Sequence, residues 1–371
     1  MKPKERVYNA LNKMPVDRVP VYMWYHPATT RRLAALLEIP ERYVSLAMGD
    51  DIRQTWVHNN YAMENVALEE GASFRDEWGV EWIRRGDFNQ INGYPLARAS
   101  EEEISAYKFP YDDLDRLVDF MRPVIENRGD YFIGCDISPN VFEMYWRLRG
   151  LEQAMYDLAE QNSSVLNLLD ACMTFSLSMT DKAMARYDLD WVWAGDDAGS
   201  QATMLMSPAM WRELIKPRLK EIFARIKSGK RITAFHSCGA IRPIIDDLID
   251  IGIDVLNPIQ PNCPGMNPAE LKREYGNEIA FMGGVDTQGV LPNAGVKEVF
   301  KITRELVETM TADGGGYILA ASHTVPPETP DENIFAMYAA AGISRESIFD
   351  KAADIRKQIT HMGNKFCLPR E

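Results

Sequence analysis

The sequence predicts an α/β fold of the (β/α)8 TIM-barrel type, folded as a single domain over residues 1–371. Eight short apolar segments alternate along the chain with helical segments, and this alternation is typical of strands that pair in parallel. The later apolar segments are rich in Ile, Val, Phe, Tyr and Trp, as expected of strands buried on both faces. An open doubly wound sheet is the alternative, but no G-x-G-x-x-G motif follows the first strand.

Each predicted strand is a short apolar run that ends at a turn or a polar residue. The strands lie near residues 20, 48, 132, 191, 233, 256, 281 and 318. Helical segments are predicted over residues 1–18, 112–128, 207–228, 241–251, 267–275, 296–312 and 331–359. Residues 72–97 break the alternation, because FRDEWGVEWIRRG and NGYPLA combine glycine, tryptophan and alternating charge. This stretch predicts a β-hairpin inserted between barrel units.

Charge and cysteine usage restrict the class of partner. The net charge is −13, and such an acidic surface repels nucleic acid and anionic membranes, so we expect neither as a partner. No apolar run reaches the roughly 18 residues that span a bilayer, and the polar N-terminal segment lacks the apolar core of a secretory signal. The five scattered cysteines suit a reducing compartment. We therefore expect a cytoplasmic protein that acts on a small molecule.

Polar side chains recur where the predicted strands end. In a barrel the carboxyl ends of the strands converge on one mouth, where active sites form. Each residue also has a structural interpretation, since an Asp after a strand often caps the next helix and Asn-Pro is typical of a turn. The recurrence of the whole set favours a site. Its members are His26, Asp51, Asp136, Asp196, Asp197, His236, Cys238, Asn257, Gln260, Asp286, Gln288 and His323.

The stretch RITAFHSCG carries two potential metal ligands. His236 and Cys238 are two residues apart, so on an extended chain they project to the same side. Imidazole and thiolate are ligands that zinc prefers, and His323 supplies a third at the end of the last strand. Three protein ligands with an open position are typical of a catalytic zinc. The alternatives are a buried cysteine beside a hydrogen-bonded histidine, and a His323 that binds an anionic substrate without a metal.

Two adjacent carboxylates follow the strand LDWVWAG. Adjacent side chains at a strand end diverge, so we expect Asp197 to point into the mouth. We expect Asp196 to cap the following turn or to pair with Arg212 or Lys216 on the next helix. The alternative is that both are solvated loop acids.

Four blocks of the sequence resemble the uroporphyrinogen decarboxylase superfamily, which contains the decarboxylase and corrinoid-linked methyltransferases. The resemblance extends over nearly the whole chain and implies a TIM barrel. The blocks are GDDAGSQATMLMSPAMWRELIKPRLK, HSCGAIRPIIDDLIDIGIDVLNPIQ, FMGGVDTQGVLP and GGGYILAASHTVPPETPDENI.

Within the superfamily, the resemblance is closer to the methyltransferases. Decarboxylases carry an arginine segment of the type R-Q-A-G-R, whereas residues 23–29 here read MWYHPAT. His236 and Cys238 match the H-x-C of the zinc-dependent methyltransferases, whose distant Cys is replaced by His323. A histidine at that position is also decarboxylase-like. Asp51 matches the family's mouth aspartate, and Tyr145 matches its active-site tyrosine.

The resemblance implies methyl transfer that involves a corrinoid on a partner protein and a zinc-activated thiol or a folate acceptor. It implies zinc at His236, Cys238 and His323, and a homodimer, which is common in the family. One alternative is a decarboxylase that acts on a tetrapyrrole, as in porphyrin biosynthesis, with Asp51 stabilising a developing cation. The other is a non-catalytic protein that binds a corrinoid or a tetrapyrrole. The expected catalytic residues are Asp51, Asp197, Tyr145 and His323, and the expected substrate-binding residues are Trp24, His26, Asn257, Gln260, Asp286 and Gln288.

Overall fold

The computed structural model of the protein describes residues 1–57 and 69–362. The strands are β1 (Ile52–Trp56), β2 (Ser73–Arg75), β3 (Glu81–Arg85), β4 (Phe88–Gly93), β5 (Phe132–Asp136), β6 (Trp191–Gly195), β7 (Ile232–His236), β8 (Val255–Ile259), β9 (Ala280–Val285) and β10 (Tyr317–Ala321).

The helices occupy most of the chain between these strands. They are α1 (Pro3–Leu11), α2 (Pro27–Leu37), α3 (Val44–Met48), α4 (Glu101–Ala106), α5 (Leu114–Val118), α6 (Arg122–Glu126), α7 (Phe142–Arg149), α8 (Leu151–Glu160), α9 (Ser163–Arg186), α10 (Pro208–Leu214), α11 (Lys216–Ser228), α12 (Ile245–Asp250), α13 (Pro268–Tyr275), α14 (Val290–Asn293), α15 (Val296–Met310), α16 (Asp331–Ala340) and α17 (Arg345–Met362). Across the part of the chain that the structure describes, no helix has the length and apolar character required of a membrane span.

Seven strands form the main sheet, in the order β1-β5-β6-β7-β8-β9-β10. The pairs β5–β6, β6–β7 and β7–β8 are parallel, and helices separate these strands along the chain. The predicted α/β class and the mostly parallel sheet are therefore confirmed. A closed barrel of eight strands stays a prediction, because within residues 1–57 and 69–362 this sheet has seven. By its internal contacts the chain divides into two compact units, Met1–Ile52 with Met282–Glu371, and Arg53–Phe281.

In the unit Arg53–Phe281, the ends of three neighbouring strands are in register. Gly195 of β6 pairs with His236 of β7, which pairs in turn with Asn257 of β8. Strands β5, β6 and β8 are buried along their whole length, which explains why their sequences are continuous apolar runs. The register places these three residues side by side at the carboxyl edge of the sheet.

The same unit contains the inserted β segment. Strands β2, β3 and β4 form an antiparallel sheet of their own, so the predicted hairpin has a third strand. The carboxylate of Asp76 fixes the turn before β3, since it accepts hydrogen bonds from the N–H groups of Trp78 and Val80 and from the indole N–H of Trp82. Residues 58–68, which belong to the connection before β2, lie outside the described residues.

In the unit Met1–Ile52 with Met282–Glu371, the first predicted strand is only an extended segment. Val21 and Tyr25 form isolated parallel bridges to Leu319 and Val325. Between these two bridges the backbone N–H of Ala321 donates to the sulfur of Met23 at 3.3 Å and not to a backbone oxygen, which interrupts the ladder. The prediction of a regular strand near residue 20 is therefore wrong.

The second predicted strand begins later than expected. The apolar run before it is helix α3, which ends where Gly49 adopts a left-handed conformation with φ +94°. Strand β1 then starts at Ile52. Asp50 and Asp51 precede the strand, so the prediction that Asp51 follows a strand's carboxyl end is wrong.

Candidate metal centre

The centre of the candidate site is the His236–Cys238 pair, which the structure places together as predicted. The Cys238 sulfur lies 3.4 Å from Nε2 of His236. A tetrahedral zinc bound by one sulfur and one imidazole nitrogen holds those two atoms about 3.5 Å apart, given its usual bond lengths. The pair therefore has the spacing of two ligands of one metal ion.

Asn257 determines which imidazole nitrogen of His236 is available. Its side-chain oxygen lies 2.7 Å from Nδ1 of His236. An amide oxygen only accepts hydrogen bonds, so Nδ1 carries the proton and Nε2 presents its lone pair towards Cys238. Metal-bound histidines are typically oriented in this way by a hydrogen bond from their other nitrogen. Asn257 was predicted to bind substrate, and the structure shows it as a partner of His236.

Backbone contacts fix the loop that carries Cys238. The N–H of Ala240 donates to the Ser200 carbonyl at 2.9 Å, and the N–H of Ala198 donates to the Ser237 hydroxyl at 3.0 Å. The approach is so close that a Cβ on Gly199 would lie 2.5 Å from the Cys238 carbonyl oxygen. Two loops are thus packed backbone against backbone, which holds the thiol in place.

Gln260 contributes to the same loop from the end of β8. Its side-chain oxygen accepts a 2.6 Å hydrogen bond from the N–H of Gly239 and lies 3.6 Å from the sulfur of Cys263. Gln260 was predicted to orient substrate. Its observed contacts support the turn that follows Cys238.

Asp197 lies beside the pair. Its Oδ1 accepts a 2.8 Å hydrogen bond from the backbone N–H of Cys238 and lies 3.6 Å from Nε2 of His236. Burial raises the pKa of the Cys238 thiol, and the negative charges of Asp197 and Glu143 raise it further. Without a metal ion the thiol is therefore protonated at neutral pH.

Glu143 on α7 is a residue of this site that the sequence reasoning missed. The pKa of its carboxyl is raised, chiefly by burial, although the neighbouring Arg147 cation acts to lower it. The negative charge of Asp197 also raises this pKa. Arg147 donates to Glu143 at 2.7 Å, one helical turn away. The i,i+4 spacing of the two residues was visible in the sequence, but nothing local relates it to strands β6 and β7.

Asp196 caps the helix α7, whereas it was predicted to cap the turn that follows it or to pair with Arg212 or Lys216. It accepts hydrogen bonds from the N–H groups of Phe142 at 3.0 Å and Glu143 at 2.7 Å, at the start of α7. Burial raises its pKa to about 7. The predicted partners Arg212 and Lys216 bind Asp247 instead. The prediction failed because this cap joins segments more than fifty residues apart.

Tyr145 and Asp136 are engaged in local hydrogen bonds. The Tyr145 hydroxyl donates to Asp157 at 2.7 Å, and Arg149 donates to the same carboxylate at 2.6 Å. Asp136 accepts from the N–H of Ser138 at 2.8 Å, and burial raises its pKa to about 6. These contacts are those of structural residues, and a catalytic role for Tyr145 stays a prediction.

In the other unit, two predicted site residues cap helices. His26 precedes α2, and its Nδ1 accepts the N–H of Ala28 at 3.1 Å. Asp286 follows β9 and accepts the N–H groups of Gln288, Gly289 and Val290. Trp24 is half-buried and donates its indole N–H to the Tyr22 hydroxyl at 2.9 Å, whereas Gln288 is exposed.

Asp51 is buried in an ionic cluster. It pairs with Arg6 at 2.5 Å and with Arg18 at 2.7 Å, and it accepts the N–H of Val21 at 2.9 Å. Its side chain is 0% exposed. This environment favours a structural role, and the catalytic role predicted for Asp51 stays untested.

His323 lies just beyond the end of β10 and is exposed. The sequence predicts His323 as the third ligand of a metal ion, beside His236 and Cys238. Two imidazole nitrogens and one thiolate fit zinc, and they would leave a coordination position open. The residues present therefore fit the metal that the sequence predicts.

The sequence model for uroporphyrinogen decarboxylase (URO-D) matches residues 132–342, more than half of the chain's 371 residues. The chain belongs to the URO-D family. The matched region contains strands β5 to β10 with the loops that carry Asp197, His236, Cys238 and His323. The family resemblance predicted from the sequence is thus confirmed.

Individual URO-D family relatives include two kinds of enzyme. The methylcobamide:CoM methyltransferase MtaA of Methanosarcina barkeri is 28% identical over 136 residues, which is 37% of each chain. The corresponding MtbA of Methanosarcina mazei is 22% identical over 348 residues, covering 91% of this chain and 97% of MtbA. The uroporphyrinogen decarboxylase of Thermus thermophilus is 26% identical over 162 residues, covering 41% of this chain and 43% of that enzyme.

A solved methyltransferase from Methanosarcina mazei has the same fold, with a TM-score of 0.66 at 18% identity over 92% of this chain and 98% of that one. The match to MtbA extends over far more of the chain than the match to the decarboxylase. The URO-D family member described here is therefore closer to the methyltransferase branch.

Proposed function

We propose that this protein is a zinc-dependent methyltransferase that catalyses transfer of a methyl group from a corrinoid on a partner protein to the thiolate of a thiol acceptor. The observation that supports this most is the His236–Cys238 pair, with donor atoms 3.4 Å apart and the tautomer of His236 set by Asn257. The names of MtaA and MtbA give a methylcobamide and CoM as substrates of those proteins.

In this proposal Nε2 of His236, the sulfur of Cys238 and an imidazole nitrogen of His323 hold the metal. When bound, zinc would keep an acceptor thiol as the nucleophilic thiolate at neutral pH. Asn257 orients His236, and Gln260 holds the turn after Cys238. The protein thereby supplies a fixed position for the acceptor sulfur.

Substrate contact is assigned to residues with accessible side chains. Asp197 is 35% exposed, Gln288 is exposed and Trp24 is half-buried. Of the predicted substrate-binding residues, His26 and Asp286 cap helices, so we propose Trp24 and Gln288 as the ones that meet substrate.

Metal analysis tests the proposal directly. The purified protein should contain about one zinc ion per chain, and Cys238→Ala should lose it. Cys263→Ala is the matched control, because it removes a neighbouring thiol that is outside the proposed ligand set. Metal-free protein whose melting temperature does not change when zinc is added would contradict the proposal.

Methyl transfer is measured with methylcobalamin as donor. We expect methylcobalamin to lose its methyl group when a thiol is present and to keep it when only a folate is present. The transfer to thiol should be lost in Cys238→Ala and retained in Cys263→Ala. Transfer to folate alone would show that the acceptor has been assigned to the wrong class.

The second candidate is decarboxylation of a tetrapyrrole, favoured by the match to the Thermus thermophilus decarboxylase. Residues 23–29 contain no arginine to bind the substrate's carboxylates. Arg32 is already engaged, since it donates to Asp331 at 2.7 Å and to the carbonyl oxygens of Pro327 and Thr329. We expect little coproporphyrinogen from incubation with uroporphyrinogen, and efficient turnover would favour the decarboxylase.

A further inference from the structure

A cavity within the unit Arg53–Phe281 is lined by residues that have no part in the proposed metal centre. Its volume is about 450 Å³, which lies within the usual range for pockets that bind small molecules. It lies between α8, the loop that leads from β6 to α10, the start of α10 and the turn before α12. Its lining includes Met155, Met204, Met206 and Met210, together with Ser207 and Pro243.

The lining is rich in methionine and has no charge. Met204 and Met206 are buried, whereas Met155 and Met210 are half-buried, so the cavity is open to solvent on one side. None of the described lining residues is acidic, basic or a histidine, although 26% of the chain's residues are charged. The cavity is therefore a neutral recess whose surface is largely thioether and methylene.

Hydrogen bonds hold the wall that the loop after β6 contributes. Met204 forms an antiparallel bridge with Gly199, and the N–H of Leu205 donates to the carbonyl oxygen of the residue before Gly199 at 2.8 Å. The Ser207 hydroxyl accepts the N–H of Met210 at 3.1 Å and caps α10. The cavity is thus formed before a ligand enters, so little binding energy is lost in ordering its walls.

The size of the cavity favours a free small molecule over a segment of a partner protein. One turn of an α-helix, about 10 Å across and about 5 Å long, would occupy nearly all of its volume. A stable protein–protein contact buries about 800 Å² on each partner, far more than one such turn presents.

The absence of charge restricts the class of small molecule. An ion would enter without a partner of opposite charge among the described lining residues, and burying an unpaired charge is strongly unfavourable. Arg212 reaches the rim, where it donates to the Pro243 carbonyl at 3.0 Å, but its charge is paired with Asp247 at 2.7 Å. A neutral ligand is therefore favoured.

The methionines favour an aromatic ring in that ligand. Methionine sulfur makes favourable contacts with aromatic rings at about 5 Å, and the unbranched side chain adapts to the shape of the ring. Ser207 uses an oxygen lone pair to cap α10, so its O–H can be donated to a hydroxyl group on the ligand. We propose that the cavity binds a neutral aromatic molecule that carries a hydroxyl group. Binding there requires neither zinc nor methyl transfer.

The experiment follows the methionine methyl groups of the full-length protein by NMR, with benzyl alcohol as the probe. The methyls are labelled with ¹³C, and each cavity signal is assigned from the peak that disappears when that methionine is replaced by leucine. A bound aromatic ring shifts the signals of the methyls that it contacts. The cavity methyls can therefore be compared directly with the methyl of Met14, which is exposed and does not line the cavity.

Two matched ligands and two matched variants separate the contributions. Benzoate keeps the ring and adds a negative charge, whereas cyclohexylmethanol keeps the hydroxyl group and has no aromatic ring. Each is tested for displacement of benzyl alcohol. Met210→Gln places a polar amide at the half-buried rim, and Met14→Gln makes the same change outside the cavity.

We expect benzyl alcohol to shift at least two of the four cavity signals, with half-saturation at about 1 mM or below, and to leave the Met14 signal in place. Benzoate and cyclohexylmethanol should each bind at least about fivefold more weakly. Met210→Gln should weaken binding about threefold or more, and Met14→Gln should not change it.

Cavity signals that do not move, or shifts spread evenly over all methionines, would overturn the site. Benzoate or cyclohexylmethanol binding as tightly as benzyl alcohol would overturn the neutral aromatic class of ligand. Equal binding to Met210→Gln and Met14→Gln would also contradict the site. The comparison of ligands uses the parent protein, so it remains decisive even where a variant does not fold.

Discussion

Replacing Asn257 by alanine should weaken zinc binding although it removes no ligand. Asn257 is buried, and its side-chain oxygen lies 2.7 Å from Nδ1 of His236. Without this acceptor the imidazole can exchange tautomers or rotate, and Nε2 is no longer held facing Cys238. The perturbation therefore tests whether His236 is oriented for a metal.

The magnitude follows from the kind of contact that is lost. Loss of a hydrogen-bond partner of a metal-bound histidine typically reduces metal affinity about 10- to 100-fold, which corresponds to about 1.4 to 2.8 kcal/mol. The metal-free protein should also lose about 1 to 3 kcal/mol of stability if the Nδ1–H stays unpaired in the interior. Both effects arise from the same hydrogen bond.

The assay is zinc competition with a chelator, together with urea unfolding of the metal-free protein. Asn257→Asp is the control, because a carboxylate accepts the same Nδ1–H and should retain zinc affinity or increase it. Zinc affinity of Asn257→Ala within about twofold of the parent, at unchanged metal-free stability, would contradict an orienting role for Asn257. Equal weakening in Asn257→Asp would indicate a packing defect at this position instead.

Three further predictions concern stability. Burial raises the pKa of Asp50 to about 7. Between about pH 4 and pH 7 the carboxyl of Asp50 is therefore protonated in the folded protein and ionised in the unfolded chain. The contribution of Asp50 to stability falls as the pH rises through this range. Asp50→Asn should therefore gain stability relative to the parent across that range in urea unfolding, and a pH-independent difference would contradict this. Tyr145→Phe should lower the free energy of unfolding by about 1 kcal/mol, because it loses one hydrogen bond to Asp157, and zinc content should not change. Loss of methyl transfer at intact zinc content would instead support the catalytic role predicted for Tyr145. Gly239→Ala should lower the stability measured by thermal unfolding by at least about 2 kcal/mol, since φ is +85° and the new Cβ would lie 2.5 Å from a backbone oxygen. Gly295→Ala is the control, because its Cβ would meet nothing within 4 Å, and it should cost no more than about 1 kcal/mol.

The strands of the unit Arg53–Phe281 could be predicted from the sequence because each is a buried apolar run between helices. Strands β6, β7 and β8 contain the predicted strand positions 191, 233 and 256. His236 and Cys238 could be paired in advance because side chains two apart on an extended chain share a side. The observed Nε2–Sγ distance of 3.4 Å confirms that they lie together.

What could not be predicted depends on register and on long-range contacts. The contact between His236 and Asn257 follows from the pairing of β7 with β8, which the two sequences do not specify. The capping of α7 by Asp196 joins the end of β6 to a helix that precedes it in the chain. Asp51 was misplaced because the apolar run before it resembles a strand but is helix α3.

The inserted β2–β4 sheet contacts helix α7 through a residue pair that is also distant in the sequence. The Arg147 guanidinium lies over the Trp82 ring of β3, 5.7 Å from its centroid, and donates to Glu143 at 2.7 Å. The backbone N–H of Glu143 is bound by Asp196, the residue that precedes Asp197. A cation held on an aromatic face loses less freedom when it pairs with a carboxylate, so the insertion steadies the acidic group of α7. The insertion therefore connects to the proposed metal centre through α7. Trp82 contacts the Arg147 cation that pairs with Glu143, and not a proposed metal ligand.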